Sequence, residues 1–241
     1  MLEIKNLYLK NDNQGDWILE DISLSFKNQN MYAILGKSGI GKTSLFKAIA
    51  LGLKGYKGYV IYGGDVIGKN NLKKYRSNLG FLTQKPQLID NLTVYENLKL
   101  EMSEKNNFIK RYFNIISYKQ KLEIFNILEK LGLKEQVFTL CKDLSGGEAQ
   151  RVEIAKLYIK KPKIILADEP TSSLDKKNSE LIIDLIKDLT FQSNALALIN
   201  MHDTTLLTKN FDHVIGLKNK KIFFNKKPNE CNQELLKKLY E

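Results

Sequence analysis

Cysteine is scarce: 241 residues contain only Cys141 and Cys231. Two cysteines so far apart match no metal-ligand or redox spacing, which excludes a disulfide framework and leaves two reduced thiols as the expectation. No apolar run approaches the roughly 20 residues that span a bilayer. The opening stretch MLEIKNLYLK also lacks the apolar core of a signal peptide, so the chain is expected to stay in the cytosol. Arginine is nearly missing as well, since Arg76, Arg111 and Arg151 are the only arginines among 38 Lys and Arg residues. The lysines are scattered among many asparagines and isoleucines, a bias typical of an AT-rich genome. The formal charge of +11 is therefore expected to reflect composition, and no dedicated nucleic-acid binding is expected. Low-complexity segments and long repeats are absent.

A hydrophobic content of 43% is enough for a core. MLEIKNLYLK and WILEDISLSF alternate apolar and polar residues and predict antiparallel strands with one wet face. MYAILG reads as a short buried strand, and TSLFKAIALGL carries helical spacing until Gly55 and Gly58 interrupt it. After GYVIYGGDV and LGFLTQ the character changes. Leu122, Phe125, Leu128 and Leu131 recur every three residues, predicting a helical subdomain over 88–143. Beyond it come the helix GEAQRVEIAKLYI, the strand KIILA, the helix NSELIIDLIKDL and the strand ALALIN. HVIGLKN and KIFFN read as two weaker strands before a short last helix. Strands alternating with helices imply a parallel sheet with covered faces, hence an α/β class. One domain of 1–241 is expected, with 1–87 and 144–241 forming the core and its N-terminal antiparallel β-layer.

The stretch ILGKSGIGKTSLFKA, Ile34 to Ala48, places three glycines and two lysines between two apolar elements. Gly36, Gly39 and Gly41 let the backbone turn its N–H groups inward at a helix start, making an anion nest. The spacing Gly36-xxxx-Gly41-Lys42-Thr43 matches a P-loop, in which the Lys reaches the outer phosphates and the Thr hydroxyl ligates Mg²⁺. The nucleotide-binding set is then Gly36, Lys37, Ser38, Gly39, Gly41, Lys42, Thr43 and Ser44, on a P-loop NTPase core. Such a loop needs a carboxylate-bearing strand for the metal and the attacking water. IILADE supplies one, ending in Asp168 and Glu169.

Between them lies LSGGEAQR, Leu144 to Arg151. Ser145 and Glu148 have the spacing of a capping box, and Ser145, Gly146 and Gly147 also offer a hydroxyl and N–H groups to an anion. In this order, the run resembles the signature motif of ATP-binding-cassette ATPases. The resemblance extends over essentially the whole chain. Gln84 in FLTQKPQL resembles the Q-loop, Ser172 to Asp175 the D-loop, and His202 in INMHD the switch histidine.

The resemblance implies ATP and Mg²⁺ as cofactors. It assigns Thr43, Gln84 and Asp168 to the metal, Glu169 to the water and His202 to the γ-phosphate. Two cassettes would face head to tail as a homodimer, with Ser145 and Gly147 acting in trans and Asp175 coupling the two sites. It further implies integral membrane permease subunits as partners, indirectly an extracytoplasmic solute-binding protein, and a place on the cytoplasmic face of the membrane. RYFNIISYKQKLEIFNILEKLGL, HDTTLLTKNFDHVIGLKNKKIFF and NQELLKKLY resemble the ATPase subunits of phosphonate-type importers. ILADEPTSSLD is shared in style with lipoprotein-release and macrolide-export ATPases, so an export motor stays open, as does a nucleic-acid-associated ATPase motivated by charge alone. Two positions depart from the family. Asn11 stands where an adenine-stacking aromatic is usual, with Tyr8 or Trp17 as stand-ins, and Gln29 replaces a turn glycine.

Overall fold

Alternation builds β1 (Leu2–Lys10) and β2 (Trp17–Phe26), but its phase slips. Leu2 and Ile4 point inward, and the next inward residues are Leu7 and Leu9. The slip is absorbed where Asn6 and Asp21 both take left-handed φ, 48° and 52°, and their side chains bond at 3.1 Å. A β-bulge of this kind resets the pleat. Leu2 therefore faces Phe26, Ile4 faces Leu24, Leu7 faces Ile22 and Leu9 faces Leu19, all of them buried. With β4 (Tyr56–Tyr62) and β5 (Asp65–Val66) they form an antiparallel sheet in the order β2-β1-β4-β5.

The computed structural model describes residues 1–10, 15–52, 56–103, 112 and 114–241. A second sheet holds β3 (Met31–Leu35), β6 (Leu79–Leu82), β7 (Ile164–Asp168), β8 (Leu196–Asn200), β9 (His213–Lys218) and β10 (Lys221–Lys226), in the order β10-β9-β3-β8-β7-β6. β3 runs parallel to β8 and β9, β7 runs parallel to β8, and β10 is antiparallel to β9. The carboxyl ends of β3, β8 and β7 consequently share one edge, where open α/β sheets place their ligands. Gln29, just before β3, adopts φ 61° and so takes the glycine-like conformation its position requires. Leu2, Ile22 and Phe26 pack with Leu45 and Ile49 of the helix Lys42–Ile49 and with Ile34 and Leu166, joining both sheets in one core.

These elements, apart from Leu82 at the end of β6, belong to one unit, comprising Met1–Phe81, Pro162–Glu169 and Thr190–Glu241. The other unit comprises Leu82–Lys161 and Pro170–Leu189. It contains the segment 88–143 together with the helix Gly146–Lys160, because that helix packs on Val94–Ser103 and Tyr118–Lys130. Tyr158 of the same helix bonds the Leu185 carbonyl at 3.3 Å.

The helix expected from the recurrence of Leu122, Phe125, Leu128 and Leu131 forms as Tyr118–Lys130, but the residues of that recurrence do not share one face. Leu122 and Phe125 are 44% and 40% exposed, and the buried face is Ile124, Ile127, Leu128 and Leu131. A strict period of three drifts around a helix of about 3.6 residues per turn, so Leu122 and Leu131 end on opposite sides. Among the described residues, no helix is long and apolar enough to cross a membrane.

Candidate active site

Gly41 caps the helix Lys42–Ile49 with φ 109°, offers no side-chain cap, and no acidic residue occupies the first turn. The first helical N–H groups therefore lack a side-chain acceptor, which together with the helix dipole makes the turn an anion site. Only glycine fits. A Cβ on Gly41 would lie 2.8 Å from Ile18 Cγ2, and one on Gly36 would lie 2.6 Å from the Leu217 carbonyl oxygen. The turn opens onto a cleft of about 380 Å³ lined by Ser38, Gly39, Gly41, Lys42, Thr43 and Ser44. Glu169 and Ile18 complete its wall.

Lys42 is only 5% exposed, and its Nζ donates to the carbonyls of Gly36 at 2.7 Å and Lys37 at 3.2 Å. Burial pushes its ammonium pKa down, and the carboxylates of Glu169 and Asp168 oppose the shift. A cation held this way attracts an anion strongly, because little water competes for it.

Asp168 ends β7 with both carboxylate oxygens engaged. Thr43 Oγ1 donates to Oδ2 at 2.7 Å, and Asn200 Nδ2 donates to Oδ1 at 2.7 Å. Glu169, the next residue, takes φ 51°, a left-handed conformation that costs a β-carbon-bearing residue about 1 kcal/mol. The turn points its carboxylate to His202, with Oε1 and Nε2 at 2.7 Å, and its N–H donates to the Asn200 carbonyl at 3.2 Å. The donor set suits Mg²⁺, a hard cation that takes one or two protein oxygens and fills its octahedron with phosphate and water. Thr43 Oγ1 and Asp168 Oδ2 provide those oxygens side by side. Among the described residues no trio of His, Cys, Asp and Glu gathers to hold a metal without such help.

The other unit carries Gln84, Ser145, Gly146, Gly147 and Asp175. Ser145 and Glu148 form the capping box: Ser145 Oγ accepts from the Glu148 N–H at 3.3 Å and donates to its carboxylate at 2.6 Å. Gly147 lies close to Asn178, with a would-be Cβ 3.5 Å from its amide. Asp175 accepts from the Asn178 N–H and Nδ2 at 2.8 and 2.7 Å, bonds that hold its carboxyl below the usual range. Gln84 sits in the loop after β6.

Two residues of this site carry no motif. Ile18 is an apolar strand residue until the fold sets it against Gly41. Asn200 is fully buried, and its signal was a lone amide ending the apolar run ALALI. Among the described residues its Oδ1 has no partner, and the opposite amide orientation would set two oxygens 2.7 Å apart. Asn200 therefore fixes how Asp168 presents Oδ2 to Thr43. We expect Asn200→Ala to lower ATP turnover about tenfold, the usual cost of losing an outer partner of a metal-binding carboxylate. Turnover within twofold of the parent protein, at equal melting temperature, refutes this role.

Asn11 lies outside the described residues. Trp17 pairs with Lys10 across the strands, and its ring packs edge-on against Tyr8 at 5.5 Å between centroids. Lys10 and Lys57 place their Nζ atoms 4.6 and 5.5 Å from its centroid. Cations occupy this ring, while Ile18, its neighbour on the opposite side of the strand, lines the cleft. Trp17→Ala is expected to cost about 1–2 kcal/mol of stability and to leave ATP affinity within twofold. The emission of this single tryptophan should likewise be indifferent to saturating Mg-ATP, and a large quench on titration assigns it to adenine instead.

A phosphate nest at a strand-to-helix turn, a buried lysine and an Asp-Glu pair at the end of β7, one strand removed from β3 in the same sheet, together define a P-loop nucleoside-triphosphatase. The sequence pattern of the ABC transporter family matches residues 19–172. The chain is 36% identical to the "Phosphonates import ATP-binding protein PhnC" of Fusobacterium nucleatum, over 100% of this chain and 98% of that protein. It is 35% identical to the "Probable ABC transporter ATP-binding protein p29" of Mesomycoplasma hyorhinis, over 100% of this chain and 96% of that protein. Among solved structures, an ATP-binding cassette seen as a dimer in a post-hydrolysis state with ADP and Pi superposes with a TM-score of 0.78 at 28% identity, covering 95% of this chain and 99% of that one. The cbiO1 protein of Clostridium perfringens shares the fold with a TM-score of 0.84 at 24% identity, over 98% of this chain and 93% of that one. This chain belongs to the ABC transporter family and is one of its ATP-hydrolysing subunits.

Proposed function

We propose that this ATPase powers import of a phosphonate or a related phosphate-containing solute through separate membrane subunits, working as a homodimer on the cytoplasmic face of the membrane. The observation that carries this reading is the likeness to a phosphonate import ATP-binding protein, 36% identical over 100% of this chain and 98% of that protein. The dimeric cassette at 28% identity supports the pairing.

In this reading the N–H groups of Gly39 and Gly41 and the ammonium of Lys42 hold the phosphates, with Lys37, Ser38 and Ser44 completing the cradle. Mg²⁺, when bound, would supply Lewis-acid stabilisation of phosphate charge, held by Thr43, Asp168 and Gln84. Glu169 orients the attacking water and receives its proton, and His202 steadies the Glu169 carboxylate and faces the γ-phosphate. Ser145, Gly146 and Gly147 close over that phosphate from the second copy, and Asp175 joins the two sites. Closure of the pair moves the membrane subunits, and hydrolysis resets it. The solute never touches this chain, which is why its chemistry leaves no mark on the cleft.

The test is co-expression with the permease encoded nearest to its gene. Co-purification, with ATPase activity that rises when a phosphonate-loaded binding protein is added to the reconstituted complex, supports import. A complex stimulated by substrate from the cytoplasmic side instead identifies an exporter.

A further inference from the structure

The helix Gly146–Lys160 carries a buried carboxylate: Glu153, between Val152 and Ile154, is 5% exposed. No arginine or lysine bonds it among the described residues. Its two oxygens are taken by backbone instead. Oε1 accepts the Gln87 N–H at 3.0 Å and Oε2 accepts the Thr83 N–H at 3.4 Å. Burial pushes the carboxyl up, and these two bonds oppose the shift.

The same helix also bonds the two carbonyls of those residues. Gln150 Nε2 donates to the Thr83 oxygen at 3.4 Å, and Lys156 Nζ donates to the Gln87 oxygen at 3.1 Å. Gln150, Glu153 and Lys156 are spaced i, i+3, i+6 and so share one face. Thr83 and Gln87 are thus held at both their N–H and C=O, leaving an arch of Gln84, Lys85 and Pro86 between them. Thr83 Oγ1 stiffens the arch by donating to the Lys85 carbonyl at 2.7 Å.

We infer that Glu153 is a positioning residue that, with Gln150 and Lys156, splints the arch bearing Gln84 to the helix whose N-terminus carries Ser145, Gly146 and Gly147, so that arch and signature move as one body. The inference rests on the reading above that Gln84 serves the metal. It makes the bare separation of two motifs, some sixty residues apart in sequence, a rigid mechanical link. Seating of the signature on a nucleotide then reaches Gln84 through three side chains of one helix, without any change in either loop's own conformation. An ordinary buried anchor would need only one of these bonds. Here every backbone group at both feet of the arch has its own side-chain partner.

The experiment uses the full chain and two readouts. The first is the Mg²⁺ concentration that half-saturates ATP turnover, and the second is amide exchange at Thr83 and Gln87. For Glu153→Ala we expect exchange at those two amides to rise about tenfold and the half-saturating Mg²⁺ to rise about fivefold to tenfold. ATP affinity measured in EDTA should stay within twofold, since the phosphate nest lies elsewhere in the chain. Glu153→Gln keeps the volume and one acceptor, folds where the alanine variant does not, and should fall between. Gln84→Ala should shift the Mg²⁺ dependence equally, and the double variant should be no worse than Gln84→Ala alone. A Gln84→Ala shift with no shift in Glu153→Ala or Glu153→Gln overturns the splint while sparing the role of Gln84. No shift in Gln84→Ala removes Gln84 from the metal and overturns both.

Discussion

Glu169→Gln lowers steady-state ATP hydrolysis by about two to four orders of magnitude and leaves ATP affinity nearly unchanged. The amide preserves the shape of the side chain and the oxygen facing His202, now 2.7 Å away, so the cradle built by Gly39, Gly41 and Lys42 is untouched. What it loses is specific. An amide neither accepts the proton of an attacking water nor presents it a negative charge, so the barrier rises only once nucleotide is bound. The left-handed turn at φ 51° should survive, because amide and carboxylate side chains load the backbone alike. Under the homodimer reading, ATP should then accumulate a closed pair that elutes at twice the mass and dissociates on removal of nucleotide. Phosphate release within a few fold of the parent protein excludes Glu169 from the proton transfer.

How far such a site can be read from sequence depends on whether a residue's task is set by its neighbours in the chain or across space. The nest from Gly36 to Thr43 is a local object: its glycine positions dictate its backbone, and the motif follows. IILADE is legible for the same reason, since a buried strand ending in two carboxylates presents them at the sheet edge wherever it is inserted. Asn200 and Glu153 are different. Asn200 ends an apolar run and Glu153 sits between Val152 and Ile154, and the partner of each, Asp168 for one and the feet of the Gln84 arch for the other, is brought by the fold from a distant part of the chain. The recurrence of Leu122, Phe125, Leu128 and Leu131 located a helix but not its buried face, because a period of three and one of 3.6 are hard to separate over ten residues. MLEIKNLYLK reads as plain alternation, and the structure adds the bulge at Asn6, made by two left-handed residues bonded across the strands.

Lys42→Ala should abolish tight nucleotide binding, weakening it by about a hundredfold or more. In this structure the ammonium spans the loop, bonding the carbonyls of Gly36 and Lys37. These are weak substitutes for phosphate oxygens, and a bound triphosphate would take their place as acceptor. Each charge-assisted bond contributes about 1.5–3 kcal/mol, so two of them to the outer phosphates account for about 3–6 kcal/mol. That converts to roughly two to four decades of dissociation constant. The fold should tolerate the change. Burial already disfavours this cation, as its lowered pKa records, so deleting it relieves a desolvation cost that offsets the lost loop bonds. Melting of the nucleotide-free variant is therefore expected within a few degrees of the parent, while the stabilisation the parent gains from Mg-ATP disappears. Lys42→Arg should not rescue it, because a planar five-donor fork does not fit a space shaped for a slender stem against Gly36. Calorimetric titration at constant Mg²⁺ and ionic strength decides the matter: an alanine variant that binds ATP as tightly as the parent would show that backbone N–H groups alone hold the phosphates.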